Sequence, residues 1–326
     1  MNRLLVLALS LVIASLARAQ PDPNAHGIGR NPPEAQPVRP QDPPRRQPPK
    51  PDTPENAARR FVGDIAGYFE PSFTFDVAGA RVGYFGPDDF EWAFKNLPTI
   101  RALSTVKIDN VRVENQTDNE ATVSFTLRPL RPNQGEGEAM PVSLVLRREG
   151  NPPGPNFNEV KDAWRVVPPP IEDVLAKPLY ETPPLQLAAA LATRDPRLLL
   201  LIQQYRGLSQ LKQLGLGALQ FSQDYDEFFV FDDAAHERAL RPYLKDDALY
   251  TIVGTKDVKW RFNDNLSTLS LAQVKESALT VLFYDGEAPA DDKLNFRFGD
   301  KTLICFADGH CKALSKNELG DLIWKP

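Results

Sequence analysis

The longest patterned stretch runs from Leu208 to Phe229. Leu211, Leu214, Ala218, Phe221 and Tyr225 recur at three- and four-residue spacing, so they share one face of a predicted helix. Lys212, Gln213, Gln220, Ser222 and Gln223 fall on the rest of its surface, and an acidic loop is expected at its end. Upstream, Leu185 to Thr193 and Pro196 to Tyr205 are rich in Leu and Ala and also read as helical, with a kink expected at Arg206-Gly207. Nearer the N-terminus, Pro54-Glu55-Asn56 is a helix start, and Ala58, Phe61, Ile65 and Tyr68/Phe69 form an apolar stripe. Pro87-Asp88-Asp89 opens a second helix, Asp88 to Leu97.

After Pro98 the period changes from 3.6 to two. Val106, Ile108, Val111 and Val113 lie in one predicted strand with a bulge near Asp109-Asn110. Ala121, Val123, Phe125 and Leu127 alternate in the next, Val142, Leu144 and Leu146 mark a third, and Val160 to Val167 a fourth containing Trp164. Near the C-terminus, Thr280 to Tyr284 is an apolar run suited to a central strand. Thr302 to Phe306 and His310 to Leu314 flank Asp308-Gly309, read as a hairpin turn whose two residues tolerate positive φ. Helices and antiparallel strands segregated along the chain predict an α+β fold in two domains. The first, 55–168, is a helical region followed by a long-stranded sheet. The second, 185–326, is a helix packed on a small antiparallel sheet, reached through a connector at 169–184.

Composition alters this picture mainly at the N-terminus. Asn2-Arg3, the apolar run Leu4 to Leu16 and Ala17-Arg18-Ala19 read as a secretory signal peptide, residues 1–19, cleaved near Ala19. Gln20 to Pro54 holds 12 of the 31 prolines and almost no apolar residues, which predicts a disordered or polyproline-like tether. The chain is therefore expected in the periplasm or outside the cell, with no integral membrane segment after cleavage. A net charge of −5 without a basic run argues against nucleic acid as a partner.

Candidate chemistry is sparse. There is no G-x-S-x-G, P-loop or H-E-x-x-H pattern among the 326 residues, and only three histidines. His26 falls in the tether and His236 is expected at the surface. The acidic residues Asp224, Asp226 and Glu227 are candidate cation ligands, although the loop lacks the D-x-D-x-D-G spacing of a calcium loop. No cofactor is expected. The two cysteines, Cys305 and Cys311, allow at most one disulfide. A two-residue Asp308-Gly309 turn would pair Phe306 with Cys311 and put the sulfurs on opposite faces of the hairpin. A three-residue turn with a bulge would pair Ala307 with Cys311 and put them on one face at a diagonal offset. With His310 between them the cysteines also form a candidate zinc set, but alternating faces oppose convergence.

Four motifs carry a family resemblance. They are Leu211-Lys212-Gln213-Leu214-Gly215-Leu216 followed by Ser222-Gln223-Asp224-Tyr225-Asp226-Glu227; Ala239 to Leu244; Leu269 to Val274 with Ala278 to Asp285; and Cys305-Phe306-Ala307-Asp308-Gly309-His310-Cys311-Lys312. In this order, over residues 208–314, the chain resembles bacterial pseudopilin-like proteins of the type II secretion and type IV pilus class, the branch with a C-terminal H-X9-DG signature. The resemblance implies a spine helix packed on a small sheet. It implies action through contacts with envelope or secretion-apparatus proteins rather than catalysis. Two departures stand out. The helix is internal rather than behind a prepilin leader, and its upstream part, Leu198 to Ile202, is too short an apolar run to span a bilayer. The signature histidine would fall on Phe298, with Arg297 beside it as a candidate substitute.

Residues 55–168 are similar in element order to the cone fold of ketosteroid isomerase and nuclear transport factor 2, in which helices pack on a curved sheet. That resemblance implies an alternative role: small-molecule binding or isomerase-like chemistry using Tyr and Asp side chains. The candidates are Asp64, Tyr68, Asp76 and Tyr84, with Asp64 one helical turn before Tyr68.

Overall fold

The first folded residues are already bonded to elements far along the chain. In this computed structural model, which describes residues 52–66, 74–83, 89–131, 135–149, 163–287 and 294–326, the Asp52 carboxylate accepts from the Trp164 backbone N–H at 3.0 Å and from Arg60. Thr53 Oγ1 accepts from the Asn56 N–H at 3.3 Å, capping helix α1, Pro54–Ala66. Residues 52–54, expected in the tether, therefore belong to the folded part, and Pro54 is the first helical residue, where its missing N–H costs nothing. The expected signal peptide and the expected tether up to residue 51 lie outside the described residues.

A seven-stranded sheet follows α1. It consists of β1 (Thr74–Val77), β2 (Ala80–Gly83), β3 (Val106–Gln116), β4 (Glu120–Arg131), β5 (Gly135–Glu136), β6 (Met140–Glu149) and β7 (Ala163–Val166), in the order β2-β1-β7-β6-β4-β3 with β5 on β4. All pairings are antiparallel except β1 with β7, which is parallel. The β3–β4 register shifts between Asp109 and Arg112, where Asn110 has φ 55°, so a bulge sits where expected. Along β4, Ala121, Val123, Phe125 and Leu127 are buried and their neighbours only partly so, as a one-sided strand requires.

On the buried face, α1 contributes Ala58, Phe61, Val62 and Ile65. Helix α2 (Asp89–Asn96) adds Phe90, Ala93 and Phe94, and the single turn α3 (Pro98–Arg101) adds Ile100. The segment read as a connector contributes to the first core. Within 169–184, α4 (Ile171–Leu175) buries Val174, and Leu179 is also fully buried in this same core. Helix α5, Pro184–Ala192, is buried almost all round and joins it too.

Helix α6 runs unbroken from Pro196 to Asp224, 29 residues and about 44 Å at 1.5 Å per residue. Asp195 caps it by accepting from the Arg197 N–H. Gly207 does not divide two helices. Instead, a Cβ there would lie 2.5 Å from Leu303 Cδ1, so the glycine permits close approach of helix and sheet. The buried face ends at Phe221 and Ser222; Ser222, expected on the open surface, is fully buried, its Oγ donating to Leu219 O at 2.9 Å. Tyr225, expected on that face, is the residue after the helix and is 49% exposed, stacking on Phe221 at 4.3 Å.

The second sheet has four strands: β8 (Arg261–Phe262), β9 (Val281–Tyr284), β10 (Lys301–Phe306) and β11 (Cys311–Ser315), ordered β11-β10-β9-β8 and antiparallel throughout. Helix α7 lies at His236–Leu240, earlier than the expected Ala239 to Leu244. One face of the sheet meets α6 through Leu211, Leu214, Ala218, Phe283, Leu303 and Cys305. The other face holds Tyr284, Ile304 and Phe306 under Leu319, Leu322 and Trp324 of the C-terminal segment. The Val281 N–H donates to Ile323 O at 3.0 Å, and Asn263 Nδ2 donates to Trp324 O at 3.0 Å. The chain is thus α+β, residues 51–326 form one compact unit, and α6 belongs to both cores: Leu198 and Ile202 to the first, Leu211 to Phe221 to the second. No helix among the described residues is long and apolar enough to cross a membrane.

Candidate functional site

Two of the motif segments, Leu211 to Leu216 and Cys305 to Lys312, meet at the seam between α6 and the β10–β11 hairpin. A Cβ at Gly215 would lie 2.5 Å from Cys305 Sγ, so the thiol packs against bare helix backbone. One helical turn earlier, Lys212 Nζ donates to Gly309 O at 2.8 Å and ties the hairpin tip to the helix. Gly309 has φ 83°, its N–H donates to Phe306 O, and the Phe306 N–H donates to His310 O, both at 2.8 Å. Ala307, Asp308 and Gly309 therefore form a three-residue loop ending in a left-handed glycine. Of the Asp308-Gly309 pair, only Gly309 uses positive φ.

This loop corrects both expected registers. Phe306 opposes His310, so Cys305 opposes Cys311 directly. Both cysteines are free thiols. Hydrogen bonding to Cys311, together with burial, raises the Cys305 thiol well above its ordinary pKa. His310 does not turn toward them. Its ring stacks on Phe306 at 4.3 Å, and Nδ1 lies 2.6 Å from Asp308 Oδ1. Burial pushes the Asp308 carboxyl up, but hydrogen bonds from the His310 backbone and ring outweigh it and leave its pKa below the ordinary value.

A second charged pair lies at the end of β9. Asp285 is fully buried, and Arg297 Nε lies 3.0 Å from each of its carboxylate oxygens. Asn295 Nδ2 adds a 3.3 Å bond to Oδ1. Burial raises the Asp285 pKa against the opposing pull of Arg297 and Asn295. Phe298, at the position of the signature histidine, is buried and reaches toward Gly207 of α6. Arg297 thus serves as the counter-ion of Asp285. Sequence patterning did not single out that pair, although Asp285 is the one charge closing an apolar strand.

The acidic loop is not assembled as a cation site. Asp224 Oδ2 accepts from Tyr243 Oη at 2.7 Å, a bond that pushes the tyrosine up to about 12. Asp226 and Glu227 follow in left-handed conformations, φ 54° and 66°. Among the described residues, no three His, Cys, Asp or Glu side chains are grouped to hold a metal. The loop is held by the Leu271 N–H donating to Glu227 O and the Thr268 N–H donating to Phe229 O. This leaves Tyr225, Phe228 and Val230 exposed, and Leu216 is exposed on α6.

His236, expected at the surface, is 3% exposed. Its Nδ1 lies 2.6 Å from Asp233 O, and its ring packs on Tyr250 and Phe283, because α7 begins three residues before the expected helix.

Of the four catalytic candidates, Tyr68 and Tyr84 lie outside the described residues. Asp76 is placed only by its backbone in β1, paired with Arg81. Asp64 is partly buried on α1. The space between α1 and the first sheet is filled by Phe61, Phe94, Phe125 and Trp164. A cleft of about 500 Å³ opens beside it, lined by Ile65, Phe94, Lys95, Ile100, Arg101 and Ser104.

No family model, curated protein or solved structure matches the chain.

Proposed function

We propose that the chain is a secreted cell-envelope protein that works through protein contacts, with a pilin-like C-terminal unit joined to a cone-like N-terminal one. The observation that carries this reading is the course of α6. Its downstream half bears the motif residues and is covered by the four-stranded sheet. Its upstream half, which in a pilin-type spine would lie in lipid, is instead buried at Leu198 and Ile202 in the core of the first sheet. A helix covered along both halves is a scaffold and is unavailable for filament packing. The exposed residues Tyr225, Phe228 and Val230, on a loop with two left-handed non-glycine residues, and Leu216 on α6 are the contact surface this reading favours.

The test uses the full chain with a photo-crosslinker at Val230, expressed in its own envelope. One saturable adduct with an envelope or secretion-apparatus protein, lost when Phe228 and Leu216 become Asp, is expected. Labelling that is absent, or unchanged by those substitutions, contradicts the reading. N-terminal sequencing of the exported protein should begin at Gln20.

Small-molecule binding at the first sheet is the second reading, favoured by the cleft beside Lys95 and Arg101. The aromatic filling of the adjoining core favours the first.

A further inference from the structure

We propose that Cys305 and Cys311 are a redox-active dithiol that closes into a cross-strand disulfide, with Cys311 the sulfur that meets the external oxidant. Three geometric observations carry this. First, the two residues are direct partners across β10 and β11, so their side chains leave the sheet on the same face. Second, the adjacent pair, Phe306 and His310, is the hydrogen-bonded one, since the Phe306 N–H donates to His310 O at 2.8 Å. By the alternation of antiparallel ladders, Cys305 and Cys311 form a non-hydrogen-bonded pair, where Cα atoms approach to about 4.5 Å. That spacing lies within the range a disulfide bridges, about 4.4–6.8 Å. Third, both side chains face α6 and belong to its core, but unequally. Cys305 is fully buried against Gly215, whereas Cys311 is only partly buried and its Sγ lies 3.9 Å from Gly309 O at the hairpin tip.

The asymmetry assigns the order of events. The buried Cys305, held protonated by burial and its bond with Cys311, is closed to a bulky reagent. The Cys311 thiolate attacks one sulfur of a low-molecular-weight disulfide, taken here as oxidised glutathione. That S–S bond breaks, one glutathione leaves as thiolate and takes a proton, and a mixed disulfide forms at Cys311. With its bond to the Cys311 thiol gone, Cys305 loses its proton to solvent, and its thiolate attacks Cys311 Sγ, displacing the second glutathione as a thiolate that takes up a proton. Two protein thiols lose two electrons and two protons, and one glutathione disulfide becomes two glutathione thiols. Because both sulfurs lie where the hairpin docks on α6, the bond ties redox state to that seam.

The test equilibrates the full folded chain in glutathione buffers of graded oxidised-to-reduced ratio, quenches in acid, alkylates with iodoacetamide and reads the intact mass. At the oxidising end the expected species is monomeric, two hydrogens lighter and unalkylated. Cys305→Ala should accumulate one glutathionyl group at Cys311. Cys311→Ala should take none while folded and one when unfolded in urea. Two alkylated cysteines at every ratio would overturn the proposal, whatever the variants do. So would a disulfide between chains, or glutathionylation of folded Cys311→Ala.

Discussion

The two sheets, whose cores share α6, bury themselves in different ways. In the first, β4 alternates: Val123, Phe125 and Leu127 are buried while Thr122, Ser124 and Thr126 stay partly open. In the second, every residue of β9 is buried, because α6 covers one face and the C-terminal segment the other. The helix meets them differently too. Toward the first core, where it packs on α2, it offers the branched side chains of Leu198 and Ile202. Toward the second it offers bare backbone at Gly207 and Gly215, each leaving no room for a Cβ. A short sheet is thus held by coverage on both faces and by close approach, while a long one needs only one covered face.

The contrast is broken most directly by substituting neighbours along a strand. In β9, Phe283→Ala and Tyr284→Ala should each cost on the order of 3 kcal/mol, since each fills a different covered face. In β4, Phe125→Ala should cost a similar amount but Thr126→Ala under about 1 kcal/mol. Urea denaturation of the four variants checks this; similar losses at both β4 positions would remove the distinction.

Glycines sharpen it at smaller scale. Gly215→Ala adds a Cβ 2.5 Å from Cys305 Sγ, deep in the seam. Overpacking of roughly 1–3 kcal/mol should exceed the gain in helix propensity of about 1 kcal/mol. Gly63→Ala in α1 meets nothing within 4 Å and should stabilise by about 0.5–1 kcal/mol. Opposite signs in thermal melts are the expected result.

The smallest effect is electrostatic. The Asp285 pKa is raised above 3.8 by burial, so its protonated form favours the fold. That contribution is fully present below about pH 3.8. It is lost as pH rises through the folded-state pKa. Asp285→Asn should therefore gain stability relative to the parent as pH climbs from 4 toward neutrality. A difference that is flat over that range contradicts the shift.

Local features were legible and long-range ones were not. The period-two run of β4, the bulge at Asp109-Asn110, the α1 stripe and the turn at Gly309 depend on neighbours in sequence, and the chain wrote them openly. The parallel pairing of Val77 with Val166 joins residues far apart and leaves no local mark. The burial of His236 and the partnership of Asp285 with Arg297 were hidden for the same reason. One missed signal was available: Leu319, Leu322, Ile323 and Trp324 form an apolar cluster near the C-terminus, and Leu319, Leu322 and Trp324 cover the outer face of the second sheet. For the thiol pair, residue types were readable but their register depended on a single loop residue.

The central claim is that one helix serves two cores, and Leu214→Asp tests it most directly. Leu214 is fully buried, and an unpaired carboxylate there costs several kcal/mol. Hydrogen exchange followed by peptide mass spectrometry should show protection lost across β9, β10 and β11 and in the downstream half of α6. Protection should remain in α1, β3, β4 and the first turns of α6. Protection retained in the second sheet would show that α6 is not its spine.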